Sequence, residues 1–330
     1  MHPSDSSELW RHRAVAVTGA AGFLGSHLVQ MLVDNGAEVV VLVRDEVPRT
    51  EITDGWKGRV AEVRGDVQDQ QLLERLFGEY SVACVFHLAA QTQVEVSNAN
   101  PISTFQSNIA GTWALLEAAR RSPNIRGIVA ASSDKAYGAQ ATLPYTEATP
   151  LQAVHPYDVS KACADLICAS YARVFGVPVV ITRCGNFFGP GDTNWARLVP
   201  SVSRDLLEGR RPVIRSDGSP VRDYLYIREA GLAYIRLAEA ILEDASLAGE
   251  AFNFSSGRPL NVLDMVDLIS KAVGVAGVPD VRDTARHEIA AQHLDSSKAR
   301  QVLGWEPVYS TEEALAETVA WYREHLGIVS

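Results

Sequence analysis

The feature of this sequence that most restricts its fold is a regular alternation of short β-branched segments with longer amphipathic ones. Residues 13–17 and 39–43 are apolar and rich in valine, which is typical of strands covered on both faces. Between them, Leu24, Leu28 and Leu32 recur at helical spacing. Because the alternation continues through the first half of the chain, it predicts an α/β fold with right-handed crossovers and a doubly wound parallel sheet of the Rossmann type.

The remaining predicted elements divide the chain into two parts. Further strands are predicted near residues 60–63, 84–88, 127–131 and 177–181, and helices over residues 70–77, 102–120 and 157–175. After residue 186, loops rich in Gly, Pro and Asp separate shorter elements, with strands at 212–215, 224–227 and 251–254 and helices at 229–242, 262–273 and 311–325. We expect a Rossmann domain over residues 1–185 and a smaller C-terminal α/β substrate-binding domain over residues 186–330, with residues 222–245 returning to the first.

Composition excludes several classes of partner. Lys and Arg total 30 and Asp and Glu total 40, so the formal net charge of −10 disfavours non-specific binding to nucleic acid or anionic membranes. No apolar segment approaches the roughly 20 residues that span a bilayer, and residues 1–5 lack the basic and apolar regions of a signal peptide. The cysteines lack metal-ligand spacing: they are Cys84, Cys163, Cys168 and Cys184. We expect a soluble, cytoplasmic protein that binds no metal, membrane or nucleic acid.

Three glycines mark the turn between the first strand and the first helix. Gly19, Gly22 and Gly25 stand in the order that a dinucleotide-binding turn requires. The first makes the tight turn, the second lets the backbone approach a pyrophosphate, and the third lets the helix pack close to the strand. The helix start at Phe23 and Leu24 then offers free N–H groups to the phosphates. Placed between a strand and a helix, these glycines predict a dinucleotide site.

Residues after the second and third strands bear on the choice of dinucleotide. Asp45 would hold the ribose 2′-hydroxyl of NAD, whereas Arg44 would suit the 2′-phosphate of NADP. Asp66, which is followed by Val67, would accept a hydrogen bond from the adenine amino group. The first two charges would also fit a solvated loop, and an aspartate at a strand end often caps a turn. The sequence favours NAD and leaves NADP open.

A tyrosine and a lysine are placed for proton transfer on the helix predicted from residue 157. Tyr157 and Lys161 are four residues apart and therefore share one helix face. The lysine charge would favour tyrosinate and lower the phenol pKa toward the range useful in catalysis. The preceding strand ends in residues 132–138, a cluster of hydroxyl and charged side chains at the sheet edge where ligands of such folds bind. Alone, the tyrosine–lysine spacing also fits a surface helix; beside this cluster it indicates an active site.

With the glycine turn, Ser133 and the Tyr157–Lys161 pair in this order, the chain resembles the extended short-chain dehydrogenase/reductase family, and within it the nucleotide-sugar epimerases and dehydratases. The resemblance spans nearly the whole chain and includes residues 87–91, 108–112, 156–161, 183–192 and 222–224. It implies a nicotinamide cofactor on the N-terminal part and a nucleoside-diphosphate hexose on the C-terminal part. It also implies a homodimer formed through the helices at residues 102–120 and 157–175.

The resemblance implies roles for the matching residues. Tyr157 would remove the proton from the sugar 4-hydroxyl, Ser133 would hydrogen-bond the reacting oxygen, and Lys161 would bind the nicotinamide ribose. The cofactor would also contact Leu88, Ala89, Ala90, Gln91 and Asn108. The substrate would contact Gln91, Ser133, Asn186, Leu198, Val213, Arg215, Arg222 and Arg286, and Trp195 is predicted to line the same nucleotide pocket. Arginines clamp phosphates well, although Arg222 or Arg286 alone would also fit a surface ion pair.

Asp134 and Lys135 decide between the two activities that the resemblance implies. A 4-epimerase needs Tyr157, Ser133 and room for the ketosugar to turn. A 4,6-dehydratase must also take the C5 proton, expel the C6 hydroxyl as water and return hydride to C6. Many dehydratases of the family have Asp-Glu after the Ser or Thr, whereas Asp134-Lys135 looks like the CDP-glucose 4,6-dehydratase type, and residues 89–91 point the same way. Asp134 would protonate the departing oxygen, and Lys135 would be the base at C5.

The role of base is difficult for Lys135. A lysine with an ordinary pKa of about 10.4 is protonated at neutral pH, and an adjacent aspartate holds it charged. Desolvation, the charge of the nicotinamide and Lys161 would lower that pKa. Otherwise Lys135 stabilises enolate charge, and another group or water takes the proton. We expect an NAD-dependent NDP-hexose 4,6-dehydratase, a lyase of deoxysugar biosynthesis. The alternatives are a 4-epimerase and a dinucleotide-binding sensor, although a sensor need not keep a proton-transfer set.

Overall fold

A parallel sheet organises the computed structural model, which describes residues 8–45, 51–284 and 289–328. Within these residues the sheet has seven strands, in the spatial order Ala251–Phe254, Val179–Cys184, Gly127–Ala131, Cys84–His87, Ala14–Thr18, Glu38–Val43 and Ala61–Arg64. Every neighbouring pair is parallel. The chain order reverses beside the first strand, which is where ligands of open α/β sheets bind. The predicted doubly wound parallel sheet is confirmed.

The other elements surround this sheet or form the smaller C-terminal part. The helices are Phe23–Asp34, Glu51–Trp56, Gln70–Glu79, Val94–Ala99, Pro101–Phe105, Gly111–Arg121, Pro156–Phe175, Leu198–Leu207, Ile227–Glu243, Val262–Val273 and Thr311–His325. The short strands are Asn186–Phe188, Val213–Ile214, Val221–Arg222, Tyr224–Tyr226, Leu260–Asn261, Asp280–Val281 and Ala291–Gln292. In the part of the chain that the structure describes, none of the helices combines the length and the apolarity that a bilayer crossing needs.

Both faces of the sheet are covered, because successive residues of one strand enter different apolar clusters. Val15 and Val17 pack in the cluster that contains Leu28, whereas Ala16 packs in the cluster that contains Leu115. Each fully buried valine or leucine side chain contributes about 1.5–3 kcal/mol relative to an exposed one. The alternating directions of side chains along a strand thus hold one layer of helices on each face.

The C-terminal half contributes directly to the sheet. Residues 222–245 were expected to return to the N-terminal part, and the helix Ile227–Glu243 packs against two of the sheet strands there. The strand Ala251–Phe254, which lies outside the expected range, extends the sheet as its edge strand next to Val179–Cys184. The buried hydroxyl groups of Tyr234 and Thr182 lie 2.5 Å apart and join this helix to the sheet. The two parts of the chain therefore share one core.

The helix predicted over residues 102–120 is interrupted. It begins as Pro101–Phe105, widens to a π-helical turn at Gln106–Ala110 and continues as Gly111–Arg121. Residue Asn108 lies in this turn, and its side chain leaves the helix to bind the backbone of Gln91. Turns of this type are frequent at functional sites, because the extra residue redirects a side chain.

Candidate active site

A cavity of about 660 Å³ opens at the carboxyl ends of the sheet strands. Most of the residues predicted for the cofactor or the sugar line it: Gly19, Gly22, Phe23, Leu24, Gly25, Arg44, Asp45, Asp66, Val67, Leu88, Ala89, Ala90, Gln91, Ser133, Asp134, Lys135, Tyr157, Lys161, Asn186 and Leu198. Its position matches the edge at which open α/β sheets bind ligands. Residues from both halves of the chain meet in this one cavity.

Several predicted nucleotide contacts lie elsewhere. Val213 and Arg215 are exposed and do not line the cavity. Arg222 also lies outside its lining and donates a hydrogen bond to the carbonyl of the preceding residue at 2.8 Å. Trp195 packs against the C-terminal helix, and Arg286 lies outside the described residues. These predictions came from order along the chain, which does not determine which way a two-residue strand faces.

The glycine turn leaves room for a ligand's phosphates and none for side chains. Gly19 has a φ of +73°, and a Cβ there would lie 2.7 Å from the Ala89 nitrogen. A Cβ on Gly25 would lie 2.1 Å from the Gly19 carbonyl oxygen. Gly22 caps the following helix without a side-chain hydrogen bond, and the first helical turn has no acidic residue. The helix N–H groups and their positive dipole end are thus available to an anion, as a dinucleotide pyrophosphate requires.

The charges at the ribose end of the cavity favour NAD. Arg44 donates to Asp45 at 2.7 Å, and its guanidinium lies 3.9 Å from Asp66. Asp66 also accepts a hydrogen bond from the backbone of Gln68 at 2.9 Å, so it caps a turn as well. Two carboxylates therefore already surround the one guanidinium. The 2′-phosphate of NADP would bring a further negative charge close to them.

A network of hydroxyl groups supports the cavity wall behind the cofactor site. Thr18 accepts hydrogen bonds from the backbone of Leu88 and Ala89, each at 3.2 Å. Its hydroxyl also lies 2.9 Å from His87 Nδ1, while His87 Nε2 lies 3.1 Å from the Thr112 hydroxyl. Burial lowers the pKa of His87 to about 3, so its ring is neutral and serves as a structural link.

Asn108 stands behind this wall, although it was predicted to bind the cofactor. Its side-chain oxygen accepts from the Gln91 nitrogen at 2.7 Å, and its amide donates to the Gln91 carbonyl at 3.1 Å and to the Ser160 hydroxyl at 2.8 Å. Asn108 is buried and does not line the cavity. It therefore positions Gln91, which lines the cavity, relative to the helix that carries Tyr157.

Tyr157 holds its proton tightly. Burial raises its pKa to about 12, and the negative charges of Asp134 and Asp158 act in the same direction. A hydrogen bond with Ser133 and the charge of Arg197 lower the pKa. Burial outweighs these effects, so the lowered pKa predicted from the Tyr157–Lys161 spacing is wrong for this structure.

Lys161 is buried one helical turn beyond Tyr157. Its ammonium donates to the Ala131 carbonyl at 2.7 Å, at the end of the central strand Gly127–Ala131. Burial lowers the pKa of Lys161 to about 8. The backbone bond fixes the ammonium at the cavity wall, where its remaining donors are available to a ribose hydroxyl.

Asp134 and Lys135 form an ion pair in the cavity. The Lys135 ammonium lies 3.2 Å from Asp134 Oδ2 and donates to Gln292 Oε1 at 2.6 Å. Gln292 is fully buried and donates through its amide nitrogen to the Asp134 carbonyl at 2.9 Å, which fixes its oxygen toward the lysine. The Ser133 hydroxyl donates to Asp134 Oδ1 at 3.1 Å. The pair is thus held from three sides, and its lysine is held as a donor.

Three residues in or beside the cavity were not predicted from the sequence. Gln292 comes from the short strand Ala291–Gln292, far from Lys135 along the chain. Arg197 lines the cavity and forms an ion pair with Asp192 at 3.1 Å. Asp158 lines the cavity directly after Tyr157. The signal for Asp158 was present in the sequence, as an acidic residue inside the Tyr-x-x-x-Lys motif, whereas no local pattern points to Gln292.

The order of motifs and this geometry agree with a comparison to known families. The family model described as GDP-mannose 4,6 dehydratase matches residues 16–318 of the chain. The chain belongs to this family. Its relatives include a dTDP-glucose 4,6-dehydratase of Streptomyces antibioticus, 33% identical over 94% of this chain and 92% of the relative. They also include a CDP-glucose 4,6-dehydratase of Salmonella typhimurium, 30% identical over 95% and 91%.

Solved structures of both activity types resemble this member of the GDP-mannose 4,6-dehydratase family. The dTDP-glucose 4,6-dehydratase DesIV of Streptomyces venezuelae, solved with NAD and TYD bound, is 30% identical with a TM-score of 0.82, covering 95% of this chain and 98% of that one. A UDP-glucose 4-epimerase of Thermotoga maritima, solved with UDP-glucose, is 28% identical with a TM-score of 0.86, covering 95% and 99%. Proteins named for both reactions therefore share this backbone.

Family membership confirms the coarser predictions from the sequence. The chain is an extended short-chain dehydrogenase/reductase of the nucleotide-sugar 4,6-dehydratase type, a lyase that uses NAD. The glycine cradle and the uncapped helix start fit that cofactor. Relatives named for dTDP-glucose and for CDP-glucose match to similar extents, so the family alone does not select the nucleotide.

Proposed function

We propose that this chain converts a CDP-glucose-like NDP-hexose to the NDP-4-keto-6-deoxyhexose. The Asp134–Lys135 ion pair carries the proposal, because it lines the same cavity as Tyr157 and Ser133. A 4-epimerase breaks neither the C5–H nor the C6–O bond, and it has no use for a second proton-transfer pair. Residues 1–185 hold the cofactor in this proposal, and residues of the C-terminal part hold the nucleotide.

The residues that would hold NAD lie at the switch point of the sheet. The helix start at Phe23 and the backbone of Gly22 would hold its pyrophosphate, Asp45 its adenosine ribose and Lys161 its nicotinamide ribose. When bound, NAD supplies the oxidant for C4, the reductant for C6 and a positive charge that favours tyrosinate.

Tyr157 takes the proton of the 4-hydroxyl. Its hydroxyl shares a hydrogen bond with Ser133, which also donates to Asp134, so Ser133 joins the phenol to the ion pair. Ser133 orients the reacting sugar oxygen in line with the phenol. Because burial raises the pKa of Tyr157 to about 12, tyrosinate is a strong base once nearby positive charge forms it.

The Asp134–Lys135 pair acts after C4 has become a carbonyl. The carbonyl makes the C5 proton acidic, because the electron pair left at C5 delocalises onto the C4 oxygen. The contacts of Lys135 with Asp134 and Gln292 suit a cation that stabilises this enolate, and they argue against Lys135 as the base at C5. The pair then supplies the proton that leaves with the C6 oxygen as water.

The nucleotide diphosphate is held by residues that follow the sheet strand Val179–Cys184. Asn186, Arg197 and Leu198 line the cavity, whereas Arg222 does not. The guanidinium of Arg197 is therefore better placed than that of Arg222 to bind the diphosphate. The cytidine base is proposed from the Asp134-Lys135 sequence, which looks like that of CDP-glucose dehydratases. A different nucleobase on the substrate would leave the chemistry at the hexose unchanged.

A panel of nucleotide hexoses tests the proposal. Purified protein with NAD is incubated separately with CDP-, dTDP-, UDP- and GDP-glucose and with GDP-mannose, and the 4-keto product is read by its near-ultraviolet absorbance in alkali. We expect the product from CDP-glucose at the highest kcat/KM. A higher kcat/KM with another nucleotide hexose would correct only the assignment of the nucleobase. Absence of the keto product from every substrate would refute the dehydratase assignment.

The second candidate function is a 4-epimerase, because the backbone likeness to the Thermotoga maritima epimerase is at least as high as that to the dehydratase. An epimerase would return an isomer of unchanged mass from the same panel. The half-buried Asp134–Lys135 ion pair would then be a structural contact at a strand end.

We also propose that the chain forms a homodimer through neighbouring helices. Ile102, Trp113 and Leu166 are 66%, 49% and 62% exposed on the packed helices Pro101–Phe105, Gly111–Arg121 and Pro156–Phe175. Large apolar side chains this exposed on adjacent helices form a patch that a second copy would cover.

A charged double variant tests the dimer. Trp113→Glu with Leu166→Glu is expected to convert a dimer to a monomer at micromolar concentration, because each buried large side chain contributes about 1.5–3 kcal/mol. Sedimentation equilibrium measures the mass. Leu263→Glu, at another exposed apolar position, is the matched control and should leave the dimer intact. A monomeric parent, or a double variant with unchanged mass, would contradict the proposal.

A further inference from the structure

Asp158 stands out among the buried carboxylates of the described residues, because it alone has no hydrogen-bond or ion-pair partner there. The others are Asp134, Asp165, Asp192, Asp223, Glu229 and Glu239, and each accepts at least one hydrogen bond. Asp158 is 8% exposed and lines the cavity. Its oxygens are not among the fully enclosed unpartnered atoms of the described residues, so they are open to the cavity and free to contact a ligand there.

The surroundings of Asp158 are those of the reacting sugar. It follows Tyr157 in the first turn of the helix Pro156–Phe175, and this helix packs against the turn that carries Asp134 and Lys135. Lys135 exerts the largest cationic influence on it, followed by His155, while Asp134 opposes them. Glu95, on the neighbouring helix Val94–Ala99, lines the same cavity but is exposed.

Burial gives this carboxylate the proton affinity of a useful base. Desolvation raises the pKa of Asp158 to about 6, and the charges of Lys135 and His155 reduce the rise. The group is therefore ionised at neutral pH and binds a proton more strongly than an ordinary aspartate. Lys135, by contrast, already donates to Asp134 and Gln292. Acting as a base would require it to give up the charge that both contacts stabilise.

We propose that Asp158 is the catalytic base that removes the C5 proton. The inference rests on the proposed function, which assigns Lys135 to the enolate and leaves the base at C5 unassigned. The C5–H bond breaks with its proton on the Asp158 carboxylate, and the electron pair passes to the C4 oxygen. The enolate then re-forms the carbonyl and expels the C6 oxygen, which leaves as water with a proton from the Asp134–Lys135 pair. The proton on Asp158 exchanges with solvent at this stage, and Asp158 then protonates C5 as hydride returns to C6. The proton that Tyr157 took from the 4-hydroxyl finally replaces the one that the Asp134–Lys135 pair gave to the departing water.

The substitution Asp158→Asn tests the proposal on the full chain with NAD and the NDP-hexose that the parent turns over. We expect kcat for the 4-keto-6-deoxy product to fall about 10²–10⁴-fold, the usual contribution of a general base. C4 oxidation persists, so reduced nicotinamide accumulates in the variant. In the parent, kcat should rise with pH around pH 6, and this rise should be absent in the variant. Asp158→Glu should recover part of the rate, and the surface variant Asp267→Asn should match the parent.

Thermal melting separates this role from a structural one. The folded pKa of Asp158, about 6, lies above its ordinary value of 3.8, so the folded state binds more protons between these values and the parent loses stability as pH rises through them. Asp158→Asn should therefore melt at a higher temperature than the parent above pH 6 and at a similar one below pH 4. A residue kept for stability would show the opposite above pH 6.

The outcomes distinguish the inference from the function on which it rests. If the parent makes the product and Asp158→Asn makes it at the parent rate with the same pH limb, the role of Asp158 is refuted and the dehydratase stands. If the variant loses activity and also melts at a lower temperature above pH 6, the role is likewise refuted. If the parent makes no 4-keto product from any substrate, the proposed function fails and the inference fails with it.

Discussion

Replacing Tyr157 by Phe is expected to lower kcat by about 10²–10⁴-fold, with neither reduced nicotinamide nor product accumulating. The substitution keeps the aromatic ring and removes the oxygen that takes the 4-hydroxyl proton. C4 oxidation is the first step, so its loss blocks everything that follows. Burial raises the pKa of this phenol to about 12, so its tyrosinate is a strong base that the phenylalanine ring cannot replace. Stopped-flow absorbance of the nicotinamide and steady-state assay of the keto product measure the two effects.

A matched tyrosine provides the control for this variant. Tyr80 is 38% exposed at the end of the helix Gln70–Glu79 and does not line the cavity, so Tyr80→Phe should retain the parent kcat. Rapid formation of reduced nicotinamide by Tyr157→Phe would show that another group takes the proton and would overturn the role of Tyr157.

Replacing Lys135 by Met is expected to slow product formation about 10²–10³-fold while C4 oxidation continues. Methionine retains most of the side-chain volume and removes the charge that stabilises the enolate. It also leaves the buried Asp134 carboxylate and Gln292 oxygen without their shared donor. Reduced nicotinamide should therefore accumulate with substrate present, which an absorbance assay detects in a single turnover.

The surface lysine Lys271 gives the comparison for Lys135. It is 70% exposed and pairs with Asp267 one helical turn away, so Lys271→Met should behave as the parent in both assays. Product formation at the parent rate by Lys135→Met would remove the ion pair from the chemistry and favour an epimerase.

The fold was predictable because its signals are local. Leu24, Leu28 and Leu32 define one helix face, and the valine-rich segment at residues 39–43 defines a strand with two covered faces. Both signals depend only on spacing along the chain. The edge strand Ala251–Phe254 was found as a strand, but its parallel pairing with Val179–Cys184 depends on a contact across many residues. Periodicity carries no information about such partners.

The candidate site was predictable where a motif coincides with a turn. Ser133, Tyr157 and Lys161 lie in the cavity because strand ends and helix starts meet at one sheet edge. Gln292 reaches Lys135 only through the packing of the C-terminal part, and no residue near it in the sequence indicates this. The pKa of Tyr157 was predicted in the wrong direction, because a motif shows a neighbouring charge and does not show the depth of burial.

Turnover in deuterated water tests most directly whether this cavity eliminates water from a hexose. The parent enzyme is incubated with NAD and the accepted NDP-glucose, and the sugar is examined by mass spectrometry and proton NMR. We expect a product one water lighter than the substrate, with one solvent deuterium at C5 and none at C6, because C6 receives the hydrogen removed from C4. A sugar of unchanged mass, inverted at C4 and free of deuterium at C5, would contradict dehydration and identify an epimerase.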